Sequence, residues 1–414
     1  MKQPANYIIK QTASGFLRCT VLISLLLSCL NRIDAQTTFT KSHDDVVSLI
    51  CSVNDHWQAA NTYMTSPFWH YAAYHTGNME AYKITKKEGY RLYSENWATY
   101  NNWKGAISND TANWKHTYGE SSSYVLFGDW QICFQTYVDL YTMDSVKDTT
   151  KIARAISVME YEMQTSRNDY WWWADGLYMV MPVMTKLYNI TRNIRYLEKL
   201  KEYFSYADKL MFDTEFSLYY RDAKYVFPLQ PTLNGMKNFW ARGDGWVFAG
   251  IARVLNELPA NDTIIRPFLT QRLKSMAASL KKTQQTEGYW TRSILDPAHA
   301  PGYETSGTAF FCYGFFWGIN NGLLNTEEFL PTATKAWNYL QNIAVQPDFS
   351  VGYVQPIGEN ASPNTTVQPT STANFGVGAF LLAAAETSRF LANNPTSVVS
   401  KKTIKQFHSA KPKK

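Results

Sequence analysis

The sequence predicts an all-α fold, a closed (α/α)6 barrel in which an outer ring of helices surrounds an inner ring. Apolar residues recur at spacings of three and four over almost all of residues 42–392, and they define twelve helical stretches. The gaps between these stretches are of two sorts, short turns and long loops rich in aromatic residues, Gly and Pro. Twelve helices make six hairpins, which suffice to close a ring. An open solenoid would show self-similarity at a constant period, and the sequence contains none.

The twelve predicted helices end at Gly, Pro, Asn or Asp residues. They span 42–59, 70–84, 87–101, 122–142, 148–164, 175–190, 193–210, 243–258, 263–283, 304–321, 326–345 and 373–392. Asp175 and Asn193 precede apolar runs, where such residues cap helices.

The loops between the predicted helices are expected to carry function, because long loops inside a compact fold usually do. The long ones span 102–121, 211–242, 284–303 and 346–372. Two loop segments, 219–221 and 352–354, are expected to form short strands at the rim.

Composition and charge exclude disorder and argue against a nucleic-acid partner. The 414 residues include 14 Trp, 27 Tyr and 22 Phe, and only 18% are charged. The formal net charge is +6, but the last 14 residues alone hold six Lys and no acid. Because the segment between the two basic ends is mildly acidic, no basic face of a folded domain is expected.

The domain prediction has three parts: a signal peptide at 1–35, one catalytic domain at 36–395 and a Lys-rich tail at 396–414. The apolar run at 21–30 is too short to span a membrane, and no later segment is long and charge-free enough to do so. The protein is therefore expected to be exported to the periplasm. The alternative is a lipid anchor at Cys29, because Leu-Leu-Ser-Cys resembles a lipobox.

No metal or other cofactor is expected. Cys51, Cys133 and Cys312 lie far apart without paired spacing. His70 and His75 are five residues apart and do not share a helix face. The sequence also lacks HExxH, phosphate-loop, serine-hydrolase and dinucleotide motifs.

The densest group of candidate functional residues is Tyr-Trp-Trp-Trp-Ala-Asp at 170–175. Aromatic rings such as Trp172 and Trp173 stack on the apolar faces of sugars. Burial beside such rings raises the pKa of Asp175 towards the range that a general acid needs. The alternative is that Asp175 only caps its helix and that the Trp residues fill the core.

A second group, at 239–246, holds Trp240, Arg242 and Trp246. Arg242 stands at a predicted helix start, where its guanidinium and the free backbone N–H groups favour an anion such as a uronate carboxylate. Asp129 at another helix start and Arg292 in a long loop are further candidates. Each also has a plain structural interpretation as a cap, a turn or a core residue.

The sequence resembles the glycoside hydrolases of family 105, which are unsaturated rhamnogalacturonyl and glucuronyl hydrolases with an (α/α)6 barrel. The resemblance rests on the blocks Trp-Ala-Asp-Gly-Leu-Tyr-Met at 173–179, Trp-Ala-Arg-Gly-Asp-Gly-Trp at 240–246 and Glu-Thr-Ser-Gly-Thr-Ala at 304–309. Trp-Gly-Ile-Asn-Asn-Gly at 317–322 follows them. The blocks occur in order over most of residues 50–392.

The resemblance implies a role for each matched residue. Asp175 matches the catalytic acid and base, and Asp129 matches the second carboxylate of the active site. Trp173 and Trp240 match positions that stack on the substrate, and Arg242 matches a polar substrate contact. The resemblance thus implies removal of a C4=C5 unsaturated uronic acid from oligosaccharides that a polysaccharide lyase has produced.

One departure from the family concerns the substrate. Several rhamnogalacturonan-active members place a His after an aromatic pair, where this chain has Arg221. This favours unsaturated glucuronyl-rhamnose oligosaccharides, including those from ulvan, with Arg221 or Arg292 binding an anionic or sulfated group. Trp172 and Trp246 complete the predicted binding site.

Several functions remain open at this level. The chain can be an unsaturated rhamnogalacturonyl hydrolase acting on pectin fragments, or an ordinary inverting hydrolase or a lyase with the same barrel. It can also be a glycan-binding lipoprotein without turnover. In every case the expected partner is an anionic oligosaccharide.

Overall fold

The computed structural model describes Phe39 and residues 41–395, and within this part the chain forms thirteen α-helices and one two-stranded hairpin. The predicted signal peptide, Cys29 and the Lys-rich tail lie outside the described residues. The helices are α1 His43–Ala60, α2 Trp69–Thr85, α3 Glu88–Tyr100, α4 Cys133–Met143, α5 Thr150–Gln164, α6 Ala174–Met179, α7 Met181–Thr191, α8 Arg195–Met211, α9 Ala241–Glu257, α10 Arg266–Thr283, α11 Thr305–Asn320, α12 Thr326–Tyr339 and α13 Asn374–Asn393.

The helices form two concentric rings, which confirms the predicted (α/α)6 barrel. Helices α2, α4, α6 with α7, α9, α11 and α13 pack in this order around the ring, and α13 packs on α2 to close it. The remaining six helices lie outside, each against its neighbours in the inner ring. The inner helices are apolar on nearly all sides because each is enclosed by two inner neighbours and an outer helix.

Two predicted helix boundaries are wrong for identifiable reasons. The stretch predicted at 175–190 is broken at Val180, because Pro182 starts a new helix and cannot donate a backbone hydrogen bond. The stretch predicted at 122–142 becomes an α-helix only at Cys133. Before it the chain makes a 3₁₀ turn at Gly128–Trp130, where a Cβ on Gly128 would lie 2.8 Å from the Val180 side chain.

The hairpin consists of β1 Phe212–Asp213 and β2 Leu218–Tyr219, paired antiparallel with Phe212 opposite Tyr219. The predicted strand at 219–221 is therefore present in part. The strand predicted at 352–354 is wrong, since the described chain there forms only an isolated bridge between Val345 and Val351.

Helix α13 is long and apolar enough to cross a membrane by length and composition, contrary to the expectation that no such segment follows the N-terminal run. Its apolar window is 89% buried inside the barrel. Gly378 on this helix meets Gly77 on α2, where a Cβ on Gly77 would lie 2.2 Å from the Gly378 carbonyl oxygen. The composition of α13 therefore fits an inner helix packed backbone to backbone.

The loops divide by length between the two ends of the barrel. The connections from outer to inner helices, including 101–132, 212–240, 284–304 and 345–373, are the long ones. All of them lie at the end where the inner helices begin, which we call the long-loop end. The opposite end, where inner helices lead into outer helices, is the short-loop end. A site built from long loops and from the N-termini of inner helices is thus confined to one end.

Candidate active site

The predicted catalytic and polar residues converge at the long-loop end. Asp129 lies just before α4, Asp175 lies in the first turn of α6, and Arg242 lies in the first turn of α9. Because neighbouring inner helices begin at the same end of the ring, residues far apart in sequence become neighbours there.

Asp129 sits in the 3₁₀ turn and is only 6% exposed. Burial, together with the negative charge of Asp175 nearby, raises the pKa of Asp129 well above its ordinary value. Gly128 allows this turn to press against Trp173, because a Cβ there would lie 3.1 Å from the indole ring. The turn therefore holds a protonatable carboxyl group beside Asp175.

Asp175 does not cap its helix, so the plain structural interpretation of this residue is wrong. Trp173 is the N-cap of α6, with no side-chain hydrogen bond. The Oδ2 atom of Asp175 is buried without a hydrogen-bond partner and lies 3.8 Å from the Nε atom of Arg221. Burial raises the pKa of Asp175, although the charges of Arg221 and Arg242 oppose the rise. A buried carboxyl oxygen without a partner is available to a ligand.

Arg221 is fixed beside the two carboxyl groups by its own backbone and by acidic neighbours. Its carbonyl oxygen accepts a hydrogen bond of 2.7 Å from the N–H of Ala174, which ties the 212–240 loop to the start of α6. Its Nη1 atom donates to Asp222 at 2.5 Å and lies 3.6 Å from Glu359. No hydrogen bond of its Nη2 atom is present among the described residues. The guanidinium can therefore act on Asp175 through Nε and offer Nη2 to an anion.

Among the predicted aromatic residues, Trp172 has the most accessible ring. It is half-buried, lies nearly parallel to Phe127 at 6.3 Å between ring centres, and donates from Nε1 to the His116 carbonyl oxygen. The guanidinium carbon of Arg221 lies 5.7 Å from the Trp172 ring centre. Trp172 thus places an aromatic surface next to Arg221.

The rings of the other three predicted Trp contacts are covered in this structure, so their stacking on a substrate stays a prediction. Trp246 has no exposed surface and packs against Tyr178 and Phe310 in the core. Trp173 is 1% exposed and Trp240 is 2% exposed. These rings shape the walls behind the site.

Arg242 and Arg292 bind backbone oxygens with their guanidinium groups, so their direct contact with a substrate also stays a prediction. Arg242 is fully buried, and its Nη1 and Nη2 atoms donate to the carbonyl oxygens of Gln355 and Pro356 at 2.7 and 2.9 Å. Burial lowers the pKa of Arg242 to about 10. Arg292 donates to the carbonyl oxygens of Thr365 and Pro301. Both residues hold the 345–373 loop over the barrel.

Three residues of the site were not predicted as functional. Glu359 reaches Arg221 and Lys224 from the 345–373 loop. Glu120 lies close enough for its charge to raise the pKa of Asp129, and His70 lies near Glu120, with its own pKa lowered by burial. Isolated charged residues in loops carry no local sequence pattern, so only the fold reveals them.

Within the described part of the chain, no group of three or more His, Cys, Asp or Glu side chains is arranged to hold a metal ion. The groups that can act chemically at the long-loop end are thus two carboxyl groups of raised pKa, one guanidinium and an aromatic surface. This set suits acid–base chemistry on an anionic sugar.

Comparisons with known proteins identify the family of this chain. The family model described as Glycosyl Hydrolase Family 88 matches residues 33–391. A curated protein of Formosa agariphila, named unsaturated 3S-rhamnoglycuronyl hydrolase, is 31% identical over 349 residues, covering 80% of this chain and 87% of that protein.

Solved structures extend the comparison. A glycosyl hydrolase family 88 protein from Bacteroides vulgatus is 55% identical with a TM-score of 0.82, covering 84% of this chain and all of that one. A structure described as a polysaccharide lyase is 59% identical with a TM-score of 0.82, covering 85% of this chain and 99% of that one.

A possible family 105 member from Salmonella enterica shares the fold, with a TM-score of 0.67 at 17% identity, covering 86% of this chain and 96% of that one. The resemblance to unsaturated uronyl hydrolases that the sequence indicates is thus confirmed. With the family model covering almost all described residues, the chain belongs to Glycosyl Hydrolase Family 88 and is a glycosidase.

Proposed function

We propose that this glycosidase removes a C4=C5 unsaturated glucuronyl residue from lyase-generated oligosaccharides by hydrating the double bond. The observation that carries the proposal is the pair of carboxyl groups of buried Asp129 and half-buried Asp175, with raised pKa values beside the Arg221 guanidinium. The names of the curated relatives, which are unsaturated 3S-rhamnoglycuronyl hydrolases, support the same substrate class.

The substrate's own chemistry determines where the proton goes. A C4=C5 uronide is an enol ether, so its easiest activation is protonation at C4, which leaves oxocarbenium character at C5. Asp175 delivers this proton and then, as a carboxylate, takes a proton from the water that attacks C5. The resulting hemiketal opens and releases the neighbouring sugar and a 4-deoxy-5-keto-uronate. Asp129 holds the sugar and shares the developing charge.

The electrostatics require an explanation of how Asp175 is protonated, because Arg221 favours its charged form in the free enzyme. A uronate carboxylate that binds the free Nη2 atom of Arg221 neutralises this cation and adds a negative charge near Asp175. Both effects raise the pKa of Asp175 when the substrate binds. Substrate binding thus prepares the proton donor.

The proposed aglycone is rhamnose, with a sulfate group, as in fragments of ulvan. A C4=C5 uronide has lost the stereocentre that distinguishes glucuronate from galacturonate, so the aglycone must supply most of the discrimination. Arg221 and the exposed Lys224 are two cations beside Trp172 that could contact such a group, although both are paired with Asp222 and Glu359. Unsaturated galacturonyl-rhamnose from pectin is the competing substrate, and it carries no sulfate.

The decisive assay follows the ultraviolet absorbance of the conjugated double bond with a panel of lyase-generated oligosaccharides. The proposed reaction removes the absorbance, and the Asp175→Asn variant with intact fold loses this activity. A lyase, which one 59% identical structure is said to be, would create absorbance from saturated polysaccharide. A binding protein would leave the absorbance unchanged. Either of these results, or near wild-type activity of Asp175→Asn, would overturn the proposal.

The role of sulfate is tested separately with Arg221→Ala. If Arg221 binds the sulfate, the variant raises KM for sulfated substrate and spares the unsulfated one. Equal effects on both would show that Arg221 serves the uronate or the loop, and the sulfate assignment would then be dropped.

Two further parts of the proposal concern the setting. The enzyme works downstream of a polysaccharide lyase, because β-elimination by such an enzyme leaves the C4=C5 bond. Export to the periplasm through a signal peptide at 1–35 is proposed from the sequence, with a lipid anchor at Cys29 as the alternative. Lipid labelling of the wild type and of Cys29→Ala distinguishes the two.

A further inference from the structure

A second polar cavity of about 450 Å³ lies at the short-loop end of the barrel, away from the active site. Five of the six inner-ring positions contribute to it, through Glu80, Lys186, Arg253, Tyr313 and Glu386. Each of these residues lies in the middle or the C-terminal half of its helix, whereas the active site lies at the N-terminal ends. On α9, eleven residues separate Arg242 from Arg253, which corresponds to about 16 Å along the helix axis.

The carboxylates of this cavity are already fully paired within the protein. Glu80 contacts Lys83 with one oxygen at 2.8 Å and Arg389 with the other at 2.6 Å. Glu386 contacts Arg389 at 2.5 Å and accepts from Asn320 at 2.7 Å. These acids therefore do not require an added cation.

Arg253 is the exception among the charged groups of the cavity. It is 6% exposed, its Nε atom donates to Gln135 at 3.0 Å, and its guanidinium lies 5.7 Å from the Tyr178 ring centre. Within the described residues, its two terminal nitrogens have no hydrogen bond and no carboxylate within 4.0 Å. The charges of Glu80 and Asp139 stabilise the cation from a longer distance, but a buried guanidinium whose terminal nitrogens contact no anion still attracts one.

The same cavity is lined by further polar groups that have unused hydrogen-bonding capacity within the described residues. The Tyr313 hydroxyl is 4% exposed and makes no hydrogen bond within the described part of the chain. Asn256 uses its oxygen to accept from Trp317, which leaves its amide nitrogen as a donor to the cavity. Asn321 donates to the Trp317 carbonyl oxygen, and its own side-chain oxygen accepts no hydrogen bond from the residues that the structure describes.

We infer that this cavity binds a small hydroxylated carboxylate of the sugar-acid class. Arg253 and Tyr313 bind the carboxylate, and the Asn side chains exchange hydrogen bonds with hydroxyl groups. The volume lies within the range of small-molecule sites. Water alone would satisfy the hydrogen bonds but would leave the Arg253 charge without a contacting counter-ion.

The test is isothermal titration of the full-length protein with sodium D-glucuronate. We compare the wild type with Arg253→Met and with Tyr313→Phe, which keeps the ring and removes only the hydroxyl. Asp129→Asn and Trp172→Ala, at the opposite end, are the matched controls. Circular dichroism melting checks that each variant is folded.

The expected result is saturable binding in the wild type and in both controls. The affinity is at least about tenfold weaker in Arg253→Met and in Tyr313→Phe, because each of these two variants loses a hydrogen bond to a charged group. Absence of binding, or binding that the two control variants abolish and the two cavity variants keep, would overturn the site.

Two further probes define the ligand. Equal binding of neutral D-glucose would overturn the anion assignment, and equal or tighter binding of inorganic sulfate would overturn the sugar-acid assignment. Neither outcome depends on whether the proposed hydration reaction is correct.

Discussion

Replacing Arg221 by Met removes the positive charge whose Nε atom lies 3.8 Å from the Oδ2 atom of Asp175. At this distance two unit charges attract by about 1 kcal/mol in water and by about 4 kcal/mol at an effective dielectric constant of 20. One pKa unit corresponds to about 1.4 kcal/mol, and Asp222 and Glu359 already offset part of the Arg221 charge. We therefore expect the pKa of Asp175 to rise on substitution, because an attraction of about 1–4 kcal/mol for its charged form is lost.

The assay is the pH profile of kcat/KM, measured from the loss of absorbance of the double bond. If Asp175 is the proton donor, activity falls as pH rises through its pKa, so the substitution moves the alkaline limb upward. Lys224→Met is the matched control, because Lys224 lies 3.1 Å from Glu359 but is 56% exposed. We expect this control to leave the limb in place.

The acidic limb distinguishes the roles of the two carboxyl groups, because the Arg221 charge lowers the pKa values of both Asp129 and Asp175. If Asp175 acted only as a base and Asp129 supplied the proton, the loss of Arg221 would move the acidic limb upward together with the alkaline limb. That result, or an alkaline limb that does not move, would refute the assignment of Asp175 as the donor.

Three other outcomes are expected. Gly77→Ala destabilises the fold by about 1–3 kcal/mol in denaturant unfolding, because its Cβ would lie 2.2 Å from the Gly378 backbone. The control Gly89→Ala, whose Cβ would have no atom within 4 Å, is neutral or slightly stabilising. Equal effects of the two substitutions would contradict the backbone contact. Burial raises the pKa of Glu162 from 4.5 to about 8, so the folded protein keeps this carboxyl group protonated where the unfolded chain has lost the proton. The free energy of unfolding therefore falls by at most about 5 kcal/mol as pH rises from 4.5 to about 8. Glu162→Gln removes this dependence in melting curves at pH 5 and pH 8, and an unchanged slope would contradict it. Trp172→Ala raises KM about tenfold or more with a smaller effect on kcat, since it removes a stacking surface; a change in kcat alone would place Trp172 in the chemical step.

The fold could be predicted because its determinants are local. Inner and outer helices each carry apolar residues at spacings of three and four. The sequence also shows the order of the long and short gaps between helices, and the Trp-Ala-Asp-Gly-Leu-Tyr-Met block that contains Asp175. The end of the barrel that carries Asp129 and Asp175 follows from the same alternation. The break between α6 and α7 could not be predicted from the apolar spacing, because that spacing continues through 175–190 and only Pro182 marks the start of a new helix.

The partners of Arg242 and Arg292 could not be predicted, because they are distant in sequence. Arg242 donates to a carbonyl oxygen 113 residues further along the chain, and Arg292 donates to one 73 residues away. A buried Arg that holds a loop and an exposed Arg that binds an anion have the same local sequence. Only the arrangement of the loops shows that Arg221 retains an unbonded nitrogen at the site.

The order of two events tests the central claim most directly: loss of the double bond and release of the neighbouring sugar. Both can be followed in one single-turnover experiment, with ultraviolet absorbance for the double bond and rapid-quench detection of the released sugar. Hydration initiated by Asp175 predicts that absorbance disappears before the sugar is released or together with it, and that Asp175→Asn binds substrate without either event. Release of the sugar while the absorbance persists would contradict hydration and would indicate ordinary hydrolysis of the glycosidic bond.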